Sequence, residues 1–309
     1  MDAATSQPTS PAIETRDLVK RYGRTTALSG LTMSVPRGEV FGFLGPNGAG
    51  KTTAVKVLLG LVAASGGQAF VLGRPAGDLT TRRRVGYLPE LFRYQAWLTG
   101  RELLRLHADL MALDGDRRKA GDEVLEMVGL TGRRDDAVGG YSKGMQQRLG
   151  LGVALLGTPE VVFLDEPTSA LDPVARMELR PIIRGLRDRG MTVFLNSHLL
   201  TEVEQVCDRV GIVARGQLVA LGTLDELLVE PIVRLRVGDL GAEQRTALER
   251  FGQIADDGDW LVIRGMRSER VPELVSMLVE AGVRVYAVEP VRESLESRFR
   301  ALVGSGDVA

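Results

Sequence analysis

Four short runs, Val40 to Leu44, Val161 to Leu164, Thr192 to Leu195 and Val210 to Val213, are apolar almost throughout. Runs of strand length without polar alternation suit strands buried on both faces. The last three are separated by helix-length segments, so the pattern predicts a parallel sheet covered by helices. Ahead of them, Ala12 to Leu18 and Leu28 to Val35 read as hairpin strands divided by polar turns, and Pro36-Arg37-Gly38 turns the chain into Val40. Thr53 to Leu61 reads as a helix. Between Leu91 and Asp136 the spacing becomes helical, with Leu103, Leu104, His107, Leu110 and Met111 on one face and Val124, Leu125, Met127 and Val128 on another. This predicts a helical insert with an Arg-rich surface.

Beyond Glu230-Pro231 the period changes again. Val233, Leu235 and Val237 alternate with Arg234 and Arg236, a half-buried strand, and Trp260 to Arg264 and Val283 to Val288 are further strand candidates. Val271, Leu274, Val275 and Leu278 follow helical spacing, as do Leu295, Phe299 and Leu302. The expected organisation is a frayed tail over 1–11, an α/β unit over 12–228 with its helical part at about 91–156, and a small α+β unit over 232–309. That last unit is near the lower size limit for an independent core and has no recognisable catalytic cluster, so a regulatory or interface role is expected of it.

Composition narrows the class. The 309 residues are 44% hydrophobic, enough for well-buried cores. A net charge of −1 and a pI near 6.2 lack the electrostatic footprint of a nucleic-acid binder, so no nucleic-acid partner is expected. The single cysteine, Cys207, excludes an internal disulfide framework and suits core packing in a reducing compartment. Met1 to Pro11 has neither a basic start nor an apolar centre, so it does not read as a secretion signal and a cytosolic location is expected. The longest charge-free stretch, Val57 to Gly73, is interrupted by Ser65-Gly66-Gly67-Gln68, leaving pieces too short for the ~30 Å hydrocarbon core. A membrane passage would have to come from another chain.

The candidate chemistry begins at Gly45-Pro46-Asn47-Gly48-Ala49-Gly50-Lys51-Thr52, which fits the phosphate-binding pattern G-x-x-x-x-G-K-[ST] between an apolar run and a predicted helix. Its glycines let successive N–H groups face inward, the helix adds the positive end of its dipole, and Lys51 adds a full charge. Lysine is scarce, at Lys20, Lys51, Lys56, Lys119 and Lys143 among 39 Lys and Arg, so its presence here is informative. A bound triphosphate is the expected guest, with Thr52 on its Mg²⁺ and Thr53 among the neighbouring contacts. Further on, Val161 to Leu164 ends in Asp165-Glu166. Coupled to the phosphate loop, Asp165 is expected to hold Mg²⁺ through water while Glu166 polarises the attacking water as general base.

Tyr141-Ser142-Lys143-Gly144-Met145-Gln146-Gln147-Arg148 resembles the signature of ABC ATPases, usually Leu-Ser-Gly-Gly-Gln followed by Gln-Gln-Arg, and departs from it at Tyr141, Lys143 and Met145. Ser142 and a flexible Gly144 at a helix N-terminus, beside Lys143, would form a second anion site. The resemblance covers about the first 225 residues. Ser169-Ala170-Leu171-Asp172 is similar to the D-loop, His198 to the switch histidine, and Tyr22 to the aromatic that stacks on adenine; His107 reads as an ordinary helix-face residue. Val85 to Pro89 resembles the strand before the Q-loop, with Glu90 at the place of the metal-linked glutamine that signals to the membrane partner.

The resemblance implies a P-loop NTPase core with a RecA-like parallel sheet, an antiparallel β subdomain and a helical subdomain. It implies ATP and Mg²⁺, and head-to-tail pairing as a homodimer or heterodimer in which Ser142 and Gly144 of one subunit cap the phosphate held by Lys51 of the other. Catalysis would fall to Lys51, Glu166 and His198. The Tyr87-Leu88-Pro89-Glu90 and Tyr141 to Met145 variants, with a helix start at Ser294-Leu295-Glu296, look like the ATPases of ABC-2 type exporters, which sit on the inner face of the cell membrane beside a separate permease. Two other readings compete: a soluble ABC ATPase acting on ribosomes or DNA, and a nucleotide-gated module that has lost catalysis. The first usually carries tandem cassettes, coiled-coil inserts or basic arms that this sequence lacks, and the second conflicts with the presence of Lys51, Asp165, Glu166 and His198.

Overall fold

The computed structural model describes residues 10–303 apart from 170, 229–230 and 293–294, so the tail over 1–9, Ala170 and Ser294 lie outside the described residues. Strands β1 (Ile13–Tyr22) and β2 (Thr25–Val35) form the expected hairpin, paired from Ile13↔Val35 to Tyr22↔Thr25 with register shifts between Thr15 and Val19 and between Lys20 and Arg21. The next strand, β3 (Val40–Leu44), is buried at every position and leads through the phosphate loop into α1 (Lys51–Leu58). This helix begins before Thr53 and ends before Leu61. The backbone reverses into the left-handed region at Gly50 and again at Gly60, where φ is 67°.

Strands β4 (Gly66–Val71) and β5 (Arg74–Pro75) extend the hairpin into a four-stranded antiparallel sheet of order β2-β1-β4-β5. A short helix, α2 (Leu79–Arg82), capped by the Asp78 carboxylate, precedes β6 (Val85–Leu88). The helical part follows as α3 (Gly100–Leu110), α4 (Arg117–Met127) and α5 (Lys143–Leu155), with α3 packed on α4 and α4 on α5. Thr99 and Glu102 form a reciprocal capping box that fixes where α3 starts. Gly100, Leu103, Leu104 and Ala108 are its buried positions, whereas Leu110, expected on the same face as Leu103 and Leu104, is 74% exposed. The apolar stripe of α3 is thus covered over its first turns and open at its last.

The remaining core elements are β7 (Val161–Asp165), α6 (Pro173–Asp188), β8 (Thr192–Asn196), α7 (Leu200–Val206), β9 (Arg209–Ala214) and β10 (Gln217–Thr223). They complete a six-stranded sheet of order β10-β9-β3-β8-β7-β6, parallel except for β10. Its centre is aromatic: the Phe194 ring lies 5.5 Å from Phe41, 5.3 Å from Phe43 and 5.3 Å from Phe163. Three neighbouring strands are therefore locked side by side through one ring. Cys207 is buried, and its burial pushes the thiol pKa up, in keeping with a packing role.

Contacts divide the chain after Thr223, and the second compact unit spans Leu224–Ala301. It opens with α8 (Leu224–Leu227), followed by β11 (Pro231–Val237), α9 (Ala242–Leu248), β12 (Gln253–Asp257), β13 (Trp260–Arg264), α10 (Val271–Glu280) and β14 (Val285–Arg292); α11 (Leu295–Val303) is the last described helix. The sheet order β12-β13-β11-β14, antiparallel at every pairing, makes this a ferredoxin-like split βαβ arrangement. Val233, Leu235, Leu261 and Ile263 from the sheet pack with Leu248, Leu274 and Leu278 from α9 and α10. Sequence periodicity misses β12 because Gln253-Ile254-Ala255-Asp256-Asp257 offers a single large apolar side chain.

Candidate nucleotide site

The C-terminal ends of four adjacent parallel strands converge on one edge: β3 leads to the phosphate loop, β6 to Glu90, β7 to Asp165-Glu166 and β8 to Ser197-His198. In open α/β sheets that edge is where ligands bind. The phosphate loop is held from within and from outside. Ala49 N–H donates to Pro46 O at 3.1 Å, and Ala49 O accepts from Gly216 N–H at 3.0 Å. At Gly50, φ is 101° and an added Cβ would lie 2.3 Å from Ala27 O, so only glycine fits between loop and hairpin.

Lys51 opens α1 and is 7% exposed. Its Nζ donates to Gly45 O at 2.7 Å and Pro46 O at 3.2 Å, bridging the base of its own loop. Burial lowers its pKa, against the opposing pull of Glu166, Asp165 and Glu90. A phosphate oxygen would replace these carbonyl partners with charged ones, and charge-assisted bonds are the stronger kind. A cavity of about 410 Å³ opens beside the lysine, lined by Asn47, Gly48, Gly50, Thr52, Thr53, Glu90, Glu166 and His198 as well as Ala27.

The two acids differ in setting. Asp165 ends β7, is buried, and accepts a bond from the Asn196 Nδ2 amide. Burial raises its pKa, as do Glu166 and Glu90, while Asn196 and Lys51 oppose the rise. Burial first, and then Asp165 itself, pushes the neighbouring Tyr87 hydroxyl up to about 12, so the phenol stays protonated at neutral pH. Glu166, one residue later, has φ of 50°, an uncommon backbone state for a non-glycine residue and one that clusters at functional sites. Its N–H donates to Asn196 O at 2.9 Å, and its Oε2 meets His198 Nδ1 at 2.7 Å. With the carboxylate ionised, Nδ1 is the donor in that bond, which leaves Nε2 of a neutral ring as an acceptor.

Not every residue expected at the site lines this cavity. Tyr22 is 46% exposed, with Lys20 Nζ 4.8 Å from its ring centroid. Ser142 is the N-cap of α5, its hydroxyl accepting from Met145 N–H at 3.2 Å. Gly144, expected to be flexible, is instead in the first turn of α5, where an added Cβ would lie 2.9 Å from Ala175 Cβ on α6. Asp172 caps α6 by accepting from Ala175 N–H at 2.9 Å. Tyr141, the departure at the head of the signature-like run, is buried and its hydroxyl donates to Arg133 O at 2.6 Å. Asn196 and Tyr87 are the site residues that sequence reasoning overlooks. The available signal for Asn196 was a polar residue ending an apolar strand in step with Asp165. His107 behaves as a helix-face residue, its pKa lowered by burial and its ring edge-on to Tyr94 at 5.7 Å.

Comparison with known proteins identifies the family. The family described as ABC transporter matches residues 28–169. An uncharacterised ABC transporter ATP-binding protein of a Nostoc species is 45% identical, covering 96% of this chain and 90% of the relative. The bacitracin transport ATP-binding protein BcrA of Bacillus licheniformis is 36% identical over 97% of this chain and 99% of its own. The daunorubicin/doxorubicin resistance ATP-binding protein DrrA of Streptomyces peucetius is 39% identical over 80% and 76%. Among solved structures, cbiO1 of Clostridium perfringens, part of an ABC transporter complex, superposes with a TM-score of 0.65 at 27% identity, covering 71% of this chain and 91% of that one. A loop of the phosphate-binding pattern, two acids at the end of the next strand but one and a histidine bonded to the second acid share one sheet edge, and this chain belongs to the family of ABC transporter ATP-binding proteins.

Proposed function

We propose that this chain hydrolyses ATP on the inner face of a cell membrane to drive a separate permease of the ABC-2 exporter type. The observation that carries the reading is the convergence of Lys51, Glu166 and His198 on one cavity with Asp165 directly behind Glu166 in sequence. The names of BcrA and DrrA, one a transport and one a resistance protein, support export. Among the described residues no helix is long and apolar enough to cross a membrane, which suits a subunit that works on a partner. Leu91 and Trp97, 86% and 78% exposed just after Glu90, supply apolar surface for that partner.

Mg²⁺ fits the donor set. Thr52, Asp165 and Glu90 offer hard oxygen atoms, and among the described residues no cluster of His, Cys, Asp and Glu could hold a metal alone. Mg²⁺ commonly binds through one or two carboxylates completed by substrate phosphates and water. When bound, it neutralises charge developing on the transferred phosphoryl group. Lys51 and the loop N–H groups orient the phosphates, Glu166 accepts the proton of the attacking water, and His198 holds the Glu166 carboxylate through Nδ1. Ser142 and Gly144 cap the phosphates bound to a second subunit, and Tyr22 stacks on the base.

Glu166→Gln tests this. Turnover should fall at least about 100-fold, the scale of lost general-base catalysis, while ATP binding persists. Undiminished turnover in the variant would remove Glu166 from its role. Wild-type turnover should rise when the chain is reconstituted with its co-purifying membrane protein in vesicles, and co-purification with ribosomes in place of a membrane protein would overturn the exporter reading.

A further inference from the structure

Asn196 occupies a junction that the roles above leave unassigned. Strand β8 places it opposite Asp165 on β7 and opposite Phe43 on β3, between the acid-bearing strand and the strand that feeds the phosphate loop. From there it holds both acids by different groups: its side-chain amide donates to Asp165 Oδ1, and its main-chain carbonyl accepts the Glu166 N–H at 2.9 Å. The residue is 1% exposed. Its Oδ1 is buried and has no hydrogen-bond partner. Leaving a buried acceptor unpaired is costly, and an apolar side chain would continue the Val193-Phe194-Leu195 run without that cost. The amide orientation follows from chemistry: an ionised Asp165 oxygen only accepts, so the NH₂ faces it and Oδ1 faces away.

We propose that Asn196 is a positioning residue for nucleotide-bound Mg²⁺: it orients Asp165 through Nδ2 and accepts a hydrogen from the ion's water shell at Oδ1. The inference rests on the ATPase reading above. Mg²⁺ sheds water reluctantly, so a buried, unpartnered acceptor on the residue that binds the carboxylate assigned to the ion suits an outer partner. Such outer-shell partners typically change metal affinity or activity by 10–100-fold when removed.

Asn196→Leu keeps a similar volume and removes both polar groups; Asn196→Ser is too short to reach Asp165 and guards against misfolding of the first variant. Mn²⁺, a spectroscopic stand-in, is titrated with ATP present and followed by electron paramagnetic resonance. ATP affinity is measured separately in chelator. Mn²⁺ affinity should fall about tenfold or more in both variants, with metal-free ATP affinity within about twofold of wild type. If the wild type binds Mn²⁺ with ATP and both variants match it within twofold, the inference fails and the proposed function stands. Equal losses of metal-free and metal-dependent binding would reduce Asn196 to a packing residue and also overturn the inference. A wild-type chain that binds neither ATP nor Mn²⁺ overturns both readings.

Discussion

Glu166 and Gly50 both sit in the left-handed backbone region and both line one cavity, yet for different reasons. At Gly50 the state is forced by space, since Ala27 O leaves no room for a side chain. Gly50→Ala should therefore cost about 1–3 kcal/mol of stability from backbone strain, with a further loss from the contact at Ala27, and should weaken ATP binding; urea unfolding and nucleotide titration measure the two effects. Glu166 is held in the same state by its N–H bond to Asn196 and its carboxylate bond to His198. At Glu90 the acid replaces the amide that the ABC resemblance leads one to expect. Glu90→Gln should alter the Mg²⁺ dependence of permease-coupled turnover. An unchanged Mg²⁺ titration and unchanged stimulation by the permease would exclude Glu90 from coupling.

Helix α6 is tied to the segment after His198 by three arginines on successive turns. Arg180 makes a two-pronged pair with Glu202, its Nε and NH2 groups 2.9 and 2.8 Å from the carboxylate; Arg184 donates to Gln205 O, and Arg187 to Asp208 at 2.8 Å. Asp208 in turn accepts from Val40 N–H, which carries the connection to β3. Glu202 is nearly buried, so Arg180→Met leaves a charge without its partner and should destabilise by about 3 kcal/mol, measured by urea unfolding at pH 7. The Arg180 bond holds the Glu202 pKa below the usual carboxylate range. Its stabilisation is full above the unfolded value of about 4.3 and is lost as pH falls through the lower folded value, so the gap between wild type and variant should narrow on acidification toward pH 4 and below.

Elements with uniform environments were the legible ones. Strands β3, β7, β8 and β9 are enclosed by the sheet and its helices, and burial wrote itself into their sequences as unbroken apolar runs. β10 and β12 lie at sheet edges and α2 is a single turn, so none needed a readable apolar face. The site was legible where backbone chemistry demands particular residues, as at Gly45 to Thr52. It was not legible at Asn196 and Tyr87, whose significance comes only from pairing across strands far apart in sequence.

At the scale of the molecule, two compact units with separate cores are joined in one chain. The second has ten buried apolar residues in one cluster, Val233 to Val283, around its four-stranded sheet. Domains with their own core can unfold on their own. Differential scanning calorimetry should resolve two transitions, of which ATP with Mg²⁺ raises only the one belonging to the nucleotide-binding unit. A single transition whose calorimetric and van't Hoff enthalpies agree would show that the units unfold as one.

None of Ser142, Gly144 and Asp172 lines the cavity beside Lys51. Under the proposed pairing, in which these residues cap the phosphates held by a second subunit, the enzyme has a rate law as well as a shape. In dilute solution the velocity should grow with the square of protein concentration, then become proportional to it once pairs are saturated. A logarithmic plot of velocity against concentration should bend from a slope of two to a slope of one, and the bend marks the dissociation constant of the working assembly. A permease that holds two copies together should abolish the steep limb, so membrane attachment would be visible in the reaction order before any cargo is known.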